Sequence, residues 1–169
     1  EYTVDRHILN TNGVLRFAKN EYEMVRLGIG LYGVSDNNHL RQVGTLKSVV
    51  SQVRKIMRGD QIGYDASFVA STNMRIGIIP FGYADGLNRK LSAKNGMVII
   101  NNTHCPIIGK ISMDSCIVNL SNTATKTGDE VIIFGTENTV LSIAKKLDTI
   151  PYEIFATINR RIKRVYADY

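Results

Sequence analysis

The sequence predicts a mainly β protein: a closed or nearly closed β-barrel with one clear helix, preceded by a strand–helix–strand segment. Three observations predict it. Short apolar runs of strand length recur between residues 46 and 135, separated by turn signals such as Arg58-Gly59-Asp60 and Thr127-Gly128-Asp129, the spacing of an all-β barrel or sandwich. Val140, Ile143, Ala144 and Leu147 recur at helical spacing, which marks the helix. Residues 1 to about 40 have another texture, with an apolar run on each side of a capped polar segment, the order of a βαβ unit.

Composition places few demands beyond this. The chain has 169 residues, 44% apolar and 21% charged, an ordinary globular balance. No run of apolar residues is long enough to span a bilayer, and no leader pattern is visible. The first residue is Glu1 rather than Met, which suggests a piece of a longer protein. The formal charge of +6 reads as ordinary surface charge. Cys105 and Cys116 stand eleven apart with no C-x-x-C and no clustered His. No structural zinc site is therefore expected, and the two thiols read as free in a reducing cytosol, with one disulfide between them as the alternative.

The elements follow in order. Residues 4 to 10 read as a strand, and Asn10 or Thr11 as the N-cap of a short helix carrying Val14, Leu15 and Phe17. Met24 to Gly33 reads as a second strand interrupted by Gly28, Gly30 and Gly33. One such unit cannot bury both faces of a parallel sheet, so this part is expected to belong to a larger α/β domain. Asn37, Asn38 and His39 make a polar break. Leu46 to Arg58 shows imperfect period-2 alternation and reads as a strand. Met74 to Gly86 begins as an apolar strand, is stopped by Pro80, and opens into the turn Gly82-Tyr83-Ala84-Asp85-Gly86. Ala84 to Ala93 is a weaker helical candidate. Strands are expected at 96–100, 105–113, 115–120 and 130–135, the first pair turned by Asn101-Asn102. Asn138 or Thr139 caps the clear helix, Lys145 and Lys146 suit its dipole, and Pro151 stops it.

Several residues are candidates for chemistry, each with a plainer reading beside it. Tyr64 and Tyr83 each follow a glycine. A tyrosine base needs its pKa, about 10 when unperturbed, brought down by cations or hydrogen bonds; otherwise the two are packing residues with surface hydroxyls. Asp65, Asp85 and Asp114 either orient such groups or bond their own turns. Arg26 lies inside MVRLGI, either reaching solvent or standing at the carboxyl end of a strand where α/β barrels build sites. Gly28 permits a close backbone approach, so backbone N–H groups there and the Thr11 hydroxyl are candidates to meet a phosphate. His7 reads first as structural, and the basic run Arg160 to Arg164 as a solvated face.

Taken in order, these segments resemble the C-terminal part of the alanine racemases, enzymes of pyridoxal 5'-phosphate. The resemblance runs through HILNT (His7–Thr11), MVRLGIGLYG (Met24–Gly33), Gly63-Tyr64, IPFGYADG (Ile79–Gly86), CPIIGKISMD (Cys105–Asp114), TGDEV (Thr127–Val131) and INRRIKRVY (Ile158–Tyr166). It implies that residues 1–40 are the last βα remnant of a TIM-type α/β barrel that binds the cofactor, and that residues 41–169 form the C-terminal β-barrel domain. The cofactor lysine would lie outside this chain. Tyr64 would be the catalytic base on one face of the substrate Cα, acting across a homodimer formed through the β-domain. Arg26 would donate to the pyridine nitrogen, with His7 supporting it. Thr11 would bind phosphate together with backbone groups of Gly28 and Ile29. Tyr83, Met113 and Asp114 would meet the amino-acid substrate.

The implied activity is the interconversion of L- and D-alanine in the cytoplasm, supplying D-alanine for peptidoglycan, with the isolated chain inactive. No metal, nucleic acid or membrane partner is implied. The chain departs from the pattern at Arg160, where many members have a phosphate-contacting tyrosine, at Lys110, where many have an arginine on the way into the site, and at Ser112, where cysteine is common. A related serine or broad-specificity racemase remains an alternative. A basic barrel that binds nucleic acid is a further one, although the Arg160–Arg164 run lacks the interleaved aromatics such a surface uses.

Overall fold

The structure, a computed structural model, describes residues 2–35, 40–92 and 95–167. The expected polar break at Asn37–His39 and the end of the helical candidate at Ala93 lie outside the described residues. The chain divides into two compact units, residues 1–44 and 45–169.

The first unit corrects the two strands expected at residues 4–10 and 24–33. Among its described residues there is no strand; it holds one helix, α1 (Thr11–Phe17), and 3-10 turns at Ala18–Asn20 and Ile29–Tyr32. Asn10 does cap α1, its Oδ1 accepting from the Gly13 N–H at 2.9 Å. The two expected strands remain extended segments. Met24 N–H donates to the Arg6 carbonyl at 3.3 Å and Arg26 N–H to the Leu9 carbonyl at 3.0 Å, and no ladder develops beyond these bonds. The second segment is turned aside at Gly28, and Gly33, at φ 68°, ends the turn that follows. Leu9, Thr11, Ile29 and Val34 are buried, while Ile8, Phe17, Leu27 and Leu31 remain exposed. A lone βα pair has too few neighbours to cover its apolar side chains, so the strand geometry is not enforced.

The second unit is a curled antiparallel barrel. Its strands are β1 (Leu46–Val49), β2 (Gln52–Ile56), β3 (Gln61–Ile62), β4 (Phe68–Val69), β5 (Met74–Ile79), β6 (Met97–Ile100), β7 (Thr103–Ile108), β8 (Cys116–Asn119) and β9 (Glu130–Phe134). The main sheet runs β1-β9-β6-β7-β8-β5-β2, and β3 pairs with β4 as a separate hairpin. The two ends of the main order, β1 and β2, belong to one continuous segment. It pairs with β9 at its start (Val49 opposite Glu130) and with β5 at its end (Ile56 opposite Met74). The bend at Val50-Ser51 explains the imperfect alternation. Leu46, Val50 and Ile56 are buried in one period-2 phase, but Gln52 and Arg54, which share that phase, are exposed where the chain changes partner from β9 to β5.

The turns follow from their residues. Asn101 and Asn102, at φ 49° and 57°, make the mirror-image turn that suits the twist of a two-residue hairpin. The two Gly-Asp echoes are one turn used twice. Gly59 and Gly128 both sit at φ 92°, and Asp60 and Asp129 each accept from a backbone N–H three residues earlier, Met57 at 2.8 Å and Lys126 at 3.0 Å.

The core runs through the barrel interior, where Val50, Ile79, Val98, Ile99, Ile100, Val118, Leu120 and Val131 are almost fully buried. Each such side chain contributes about 1.5–3 kcal/mol relative to exposure. The clear helix, α2 (Val140–Leu147), buries Val140, Ile143, Ala144 and Leu147, with Thr139 Oγ1 accepting from the Ser142 N–H at 3.1 Å. Pro151 does not merely stop it: it opens α3 (Pro151–Ala156), since proline is preorganised for a first helical position. Phe155 of α3 meets Phe134 of β9 edge-on at 5.7 Å between centroids. The Ala84–Ala93 helical candidate is replaced by 3-10 turns at Tyr83–Asp85 and Arg89–Ser92, with Gly86 at φ 117° between them.

Candidate functional site

Two pieces of the second unit carry the candidate residues. The first is the tip of the β3–β4 hairpin. Gly63, at φ 79°, is followed by the 3-10 turn Tyr64–Ala66, in which Asp65 and Ala66 both hold positive φ, 58° and 49°. Such a pair is uncommon for non-glycine residues, and the neighbouring contacts hold it. Asp65 and Lys110 form an ion pair. The Lys110 N–H donates to Ser67 Oγ at 3.0 Å, and the Ser67 N–H donates to the Tyr64 carbonyl at 3.2 Å. The Lys110 ammonium, by hydrogen bond and then by charge, holds the Asp65 carboxyl below its ordinary value. Tyr64 itself is 65% exposed. It borders an open cleft of about 350 Å³ with Gly63, Lys110, Ser112, Ser115 and Ile117. The Ser112 and Ser115 hydroxyls lie 2.8 Å apart in that cleft.

The second piece is a pair of clasped loops. Beyond β5, Tyr83 N–H donates to the Ser112 carbonyl at 3.0 Å and Ala84 N–H to the Met113 carbonyl at 2.9 Å. A Cβ at Gly82 would lie 2.3 Å from the Met113 carbonyl oxygen, so the approach needs glycine. The buried Asp85 folds back on its own turn, Oδ2 accepting from the Gly82 N–H at 2.8 Å. Its other oxygen accepts from Arg161 Nε at 2.7 Å, and Arg161 Nη2 donates to Asp114 Oδ1, also at 2.7 Å. Tyr83 and Met113 stand exposed on this rigid pair. The structure thus joins Tyr83, Met113 and Asp114 through bonded loops, and places Tyr64 on the cleft that Ser112 of the same loop also lines.

The remaining candidates lie in the first unit. Thr11 Oγ1 accepts from the Gly28 and Gly30 N–H groups, each at 3.2 Å. A Cβ at Gly30 would come within 2.8 Å of Thr11 Cγ2, so this close backbone approach also depends on glycine. The Gly28 and Gly30 N–H groups are thus turned inward onto Thr11, and the Thr11 O–H, which neither bond uses, is the donor left to meet a phosphate-bearing group at the start of the 3-10 turn. Arg26 is exposed, and its Nη2 donates to the Ile8 carbonyl at 3.0 Å. His7 is exposed beside Ile8, and no hydrogen bond between His7 and Arg26 is formed.

Sequence reasoning missed the part played by Arg161. Its signal was only a run of basic residues, which ordinarily marks a solvated face. Asp85 read as a turn residue; it is that, and it also anchors a cation 76 positions away. Cys105 and Cys116 are both free and buried, and burial pushes the Cys116 thiol up to about 12. Among the described residues no helix is long and apolar enough to cross a membrane, and no three His, Cys, Asp or Glu side chains converge as metal ligands.

Comparisons with known proteins place the chain in a family. The family described as "Alanine racemase, C-terminal domain" matches residues 43–166. The alanine racemase of Helicobacter pylori (strain P12) is 39% identical over 177 residues, covering 95% of this chain and 47% of that protein. The alanine racemase of Vesicomyosocius okutanii is 39% identical over 167 residues with the same coverage. The chain therefore spans about half the length of the curated relatives it matches. Among solved structures, alanine racemase from Bartonella henselae with covalently bound pyridoxal phosphate superposes with a TM-score of 0.90 at 34% identity, over 98% of this chain and 48% of that one. Alanine racemase of Clostridium difficile 630 gives 0.88 at 34% identity, over 95% and 44%.

Proposed function

The chain belongs to the alanine racemase family through its C-terminal domain, and from that premise we propose that it supplies one of the two bases of a pyridoxal 5'-phosphate-dependent alanine racemase. The observation that carries the reading is the Tyr64 turn: a phenol at the rim of a cleft shared with Lys110, Ser112 and Ser115. Inverting a stereocentre needs a proton taken from one face of Cα and one returned to the other. In this reading Tyr64 Oη takes or gives the proton on one face, and a lysine outside this chain serves the other. Tyr64 acts in the site of a second copy, so the working unit is a homodimer joined through the β-domain. The exposure of Tyr64, Tyr83 and Met113 on loops of well-bonded backbone supports that assignment.

When bound, pyridoxal phosphate supplies the electron sink that makes the Cα proton acidic. Thr11 and the backbone of Gly28 and Ile29 would hold its phosphate, the Gly28 N–H turning from Thr11 Oγ1 to the phosphate when the cofactor binds. Arg26, fixed from behind by the Ile8 carbonyl, would donate to the pyridine nitrogen, with His7 beside it. An arginine does not give up its proton, so that nitrogen stays unprotonated and the sink stays weak, which favours simple reprotonation over competing reactions. Tyr83, Met113 and Asp114 would border the amino acid. We place residues 1–40 with the cofactor domain of the parent, and the parent in the cytoplasm, where D-alanine is made for peptidoglycan. The two free, buried thiols suit that reducing compartment.

The test is Tyr64→Phe in the full-length protein. Losing a general acid–base of this kind should lower racemisation of alanine by about 100-fold or more, with serine assayed in parallel to fix the substrate. Activity equal to the parent's would remove Tyr64 from the chemistry.

A further inference from the structure

Arg161 joins three stretches of chain that are far apart in sequence. Its own segment is a tight turn packed onto the Tyr83 loop. The Asn159 N–H donates to the Asp85 carbonyl at 3.1 Å, and a Cβ at Gly86 would lie 2.9 Å from both Ile158 Cα and the Thr157 carbonyl oxygen. That turn is held from within. Asn159 Oδ1 accepts from the Arg161 N–H at 2.9 Å, and the Arg164 guanidinium donates to the carbonyls of Ile158, Asn159 and Ile162 at 3.1, 2.6 and 2.6 Å. From this platform the Arg161 side chain reaches two carboxylates of opposite character. The Asp85 side chain is 7% exposed and that of Asp114 is 65% exposed. Both hydrogen bonds, that to Asp85 first, hold the guanidinium well above its ordinary pKa, so the cation is permanent.

We propose that Arg161 is a positioning residue: its planar fork, seated on buried Asp85, locks the Met113–Asp114 loop in register with the Tyr83 turn, so the C-terminal segment sets the geometry of the substrate end of the site. The asymmetry of the two carboxylates gives the mechanism. A buried carboxylate keeps its cation, because leaving it unpaired in a low dielectric is costly. The exposed Asp114 has water as an alternative partner, so its bond to Arg161 is the one that can be released. The fork matters because a lysine ammonium is a point charge that does not reproduce two directed N–H groups. In Arg161→Lys the ammonium stays on Asp85, the fold is kept, and Asp114 is freed.

The consequence for catalysis rests on the racemase reading above; the consequence for the loops does not. The first arm of the test therefore uses residues 1–169 alone. Amide exchange is followed at Tyr83, Ala84 and residues 112–115 in wild type, Arg161→Lys, Asp114→Ala and the double variant. Each single variant should speed exchange at these amides by about tenfold, the loss of one charge-assisted hydrogen bond, and the double should match the singles because both remove one interaction. Additive effects, or exchange unchanged in both singles, would overturn the proposal. Should Arg161→Lys not fold, Asp114→Ala decides alone: wild-type exchange in that variant sinks the idea. The second arm uses the full-length protein, where Arg161→Lys should raise KM for alanine several-fold with a much smaller change in kcat. A kcat-only loss with unchanged KM would also overturn it. An inactive wild-type parent would defeat the racemase reading while leaving the exchange result intact.

Discussion

Gly82→Ala tests the clasp on which Tyr83 and Met113 stand. Gly82 has φ −127° and ψ −165°, a conformation open to alanine, so backbone strain contributes nothing. The obstacle is steric. The added Cβ would lie 2.3 Å from the Met113 oxygen, 2.4 Å from its carbonyl carbon and 2.5 Å from the Ser112 oxygen. All three are backbone atoms, and no side chain can swing aside. Relieving the clash moves the loops apart by about 1 Å, which stretches bonds now at 3.0 Å (Tyr83 to Ser112) and 2.9 Å (Ala84 to Met113) beyond hydrogen-bond range. Two such bonds, with their groups left poorly satisfied, cost about 2–4 kcal/mol. For a chain of this size that lowers Tm by about 5–15 °C. Thermal unfolding followed by circular dichroism reads the shift, and Gly44→Ala is the control, since nothing lies within 4 Å of a Cβ there. A Gly82→Ala protein that melts within about 2 °C of wild type would show that the loops are not clasped as described.

Further outcomes follow from other turns. The Asp65 carboxyl is depressed by Lys110. A depressed folded-state value means that this pairing stabilises the turn above the ordinary carboxylate range and is lost as pH falls through the lowered value. A carbon-detected titration should show Asp65 titrating below a free aspartate, and Lys110→Ala should return it to the ordinary range; a normal value in the wild type would contradict the ion pair. Gly59 and Gly128 share φ 92° with open space around a Cβ, so alanine at either site meets strain alone. Each variant should lose about 1–3 kcal/mol, and by nearly equal amounts in urea unfolding; a large inequality would mean that the two turns are not equivalent.

The barrel was legible because its signals are local. Period-2 runs, an Asn-Asn hairpin and two Gly-Asp turns each specify their own geometry, and β5, β6, β8 and β9 all form where alternation or an apolar run placed them. The two strands expected in the first 44 residues do not form, for the complementary reason. An apolar run such as Met24–Gly33 becomes a strand only when neighbours accept its hydrogen bonds and cover its faces, and periodicity in the run itself does not report whether they do. Pro151 reads in sequence as a stop, yet it starts α3, because proline forbids continuation and favours initiation, and only the following residues decide between them.

The candidate site divides along the same line. Tyr64 and Tyr83 could be singled out because glycines precede them, and a glycine that must be glycine leaves a local trace. Gly82 and Gly63 are such residues: Cβ atoms there would meet Met113 backbone at 2.3 Å and Ser67 Oγ at 2.9 Å. Arg161 leaves no such trace, because its partners Asp85 and Asp114 are 76 and 47 positions away and any long cation satisfies the local chain equally well. What identifies it is the demand of the other partner. A carboxylate with 7% of its side chain exposed requires a cation, and among the described residues the Arg161 guanidinium meets it with a second arm to spare. Loop glycines can therefore be read forward from sequence, whereas the charge that orders the loops is found by asking what a buried aspartate is paired with.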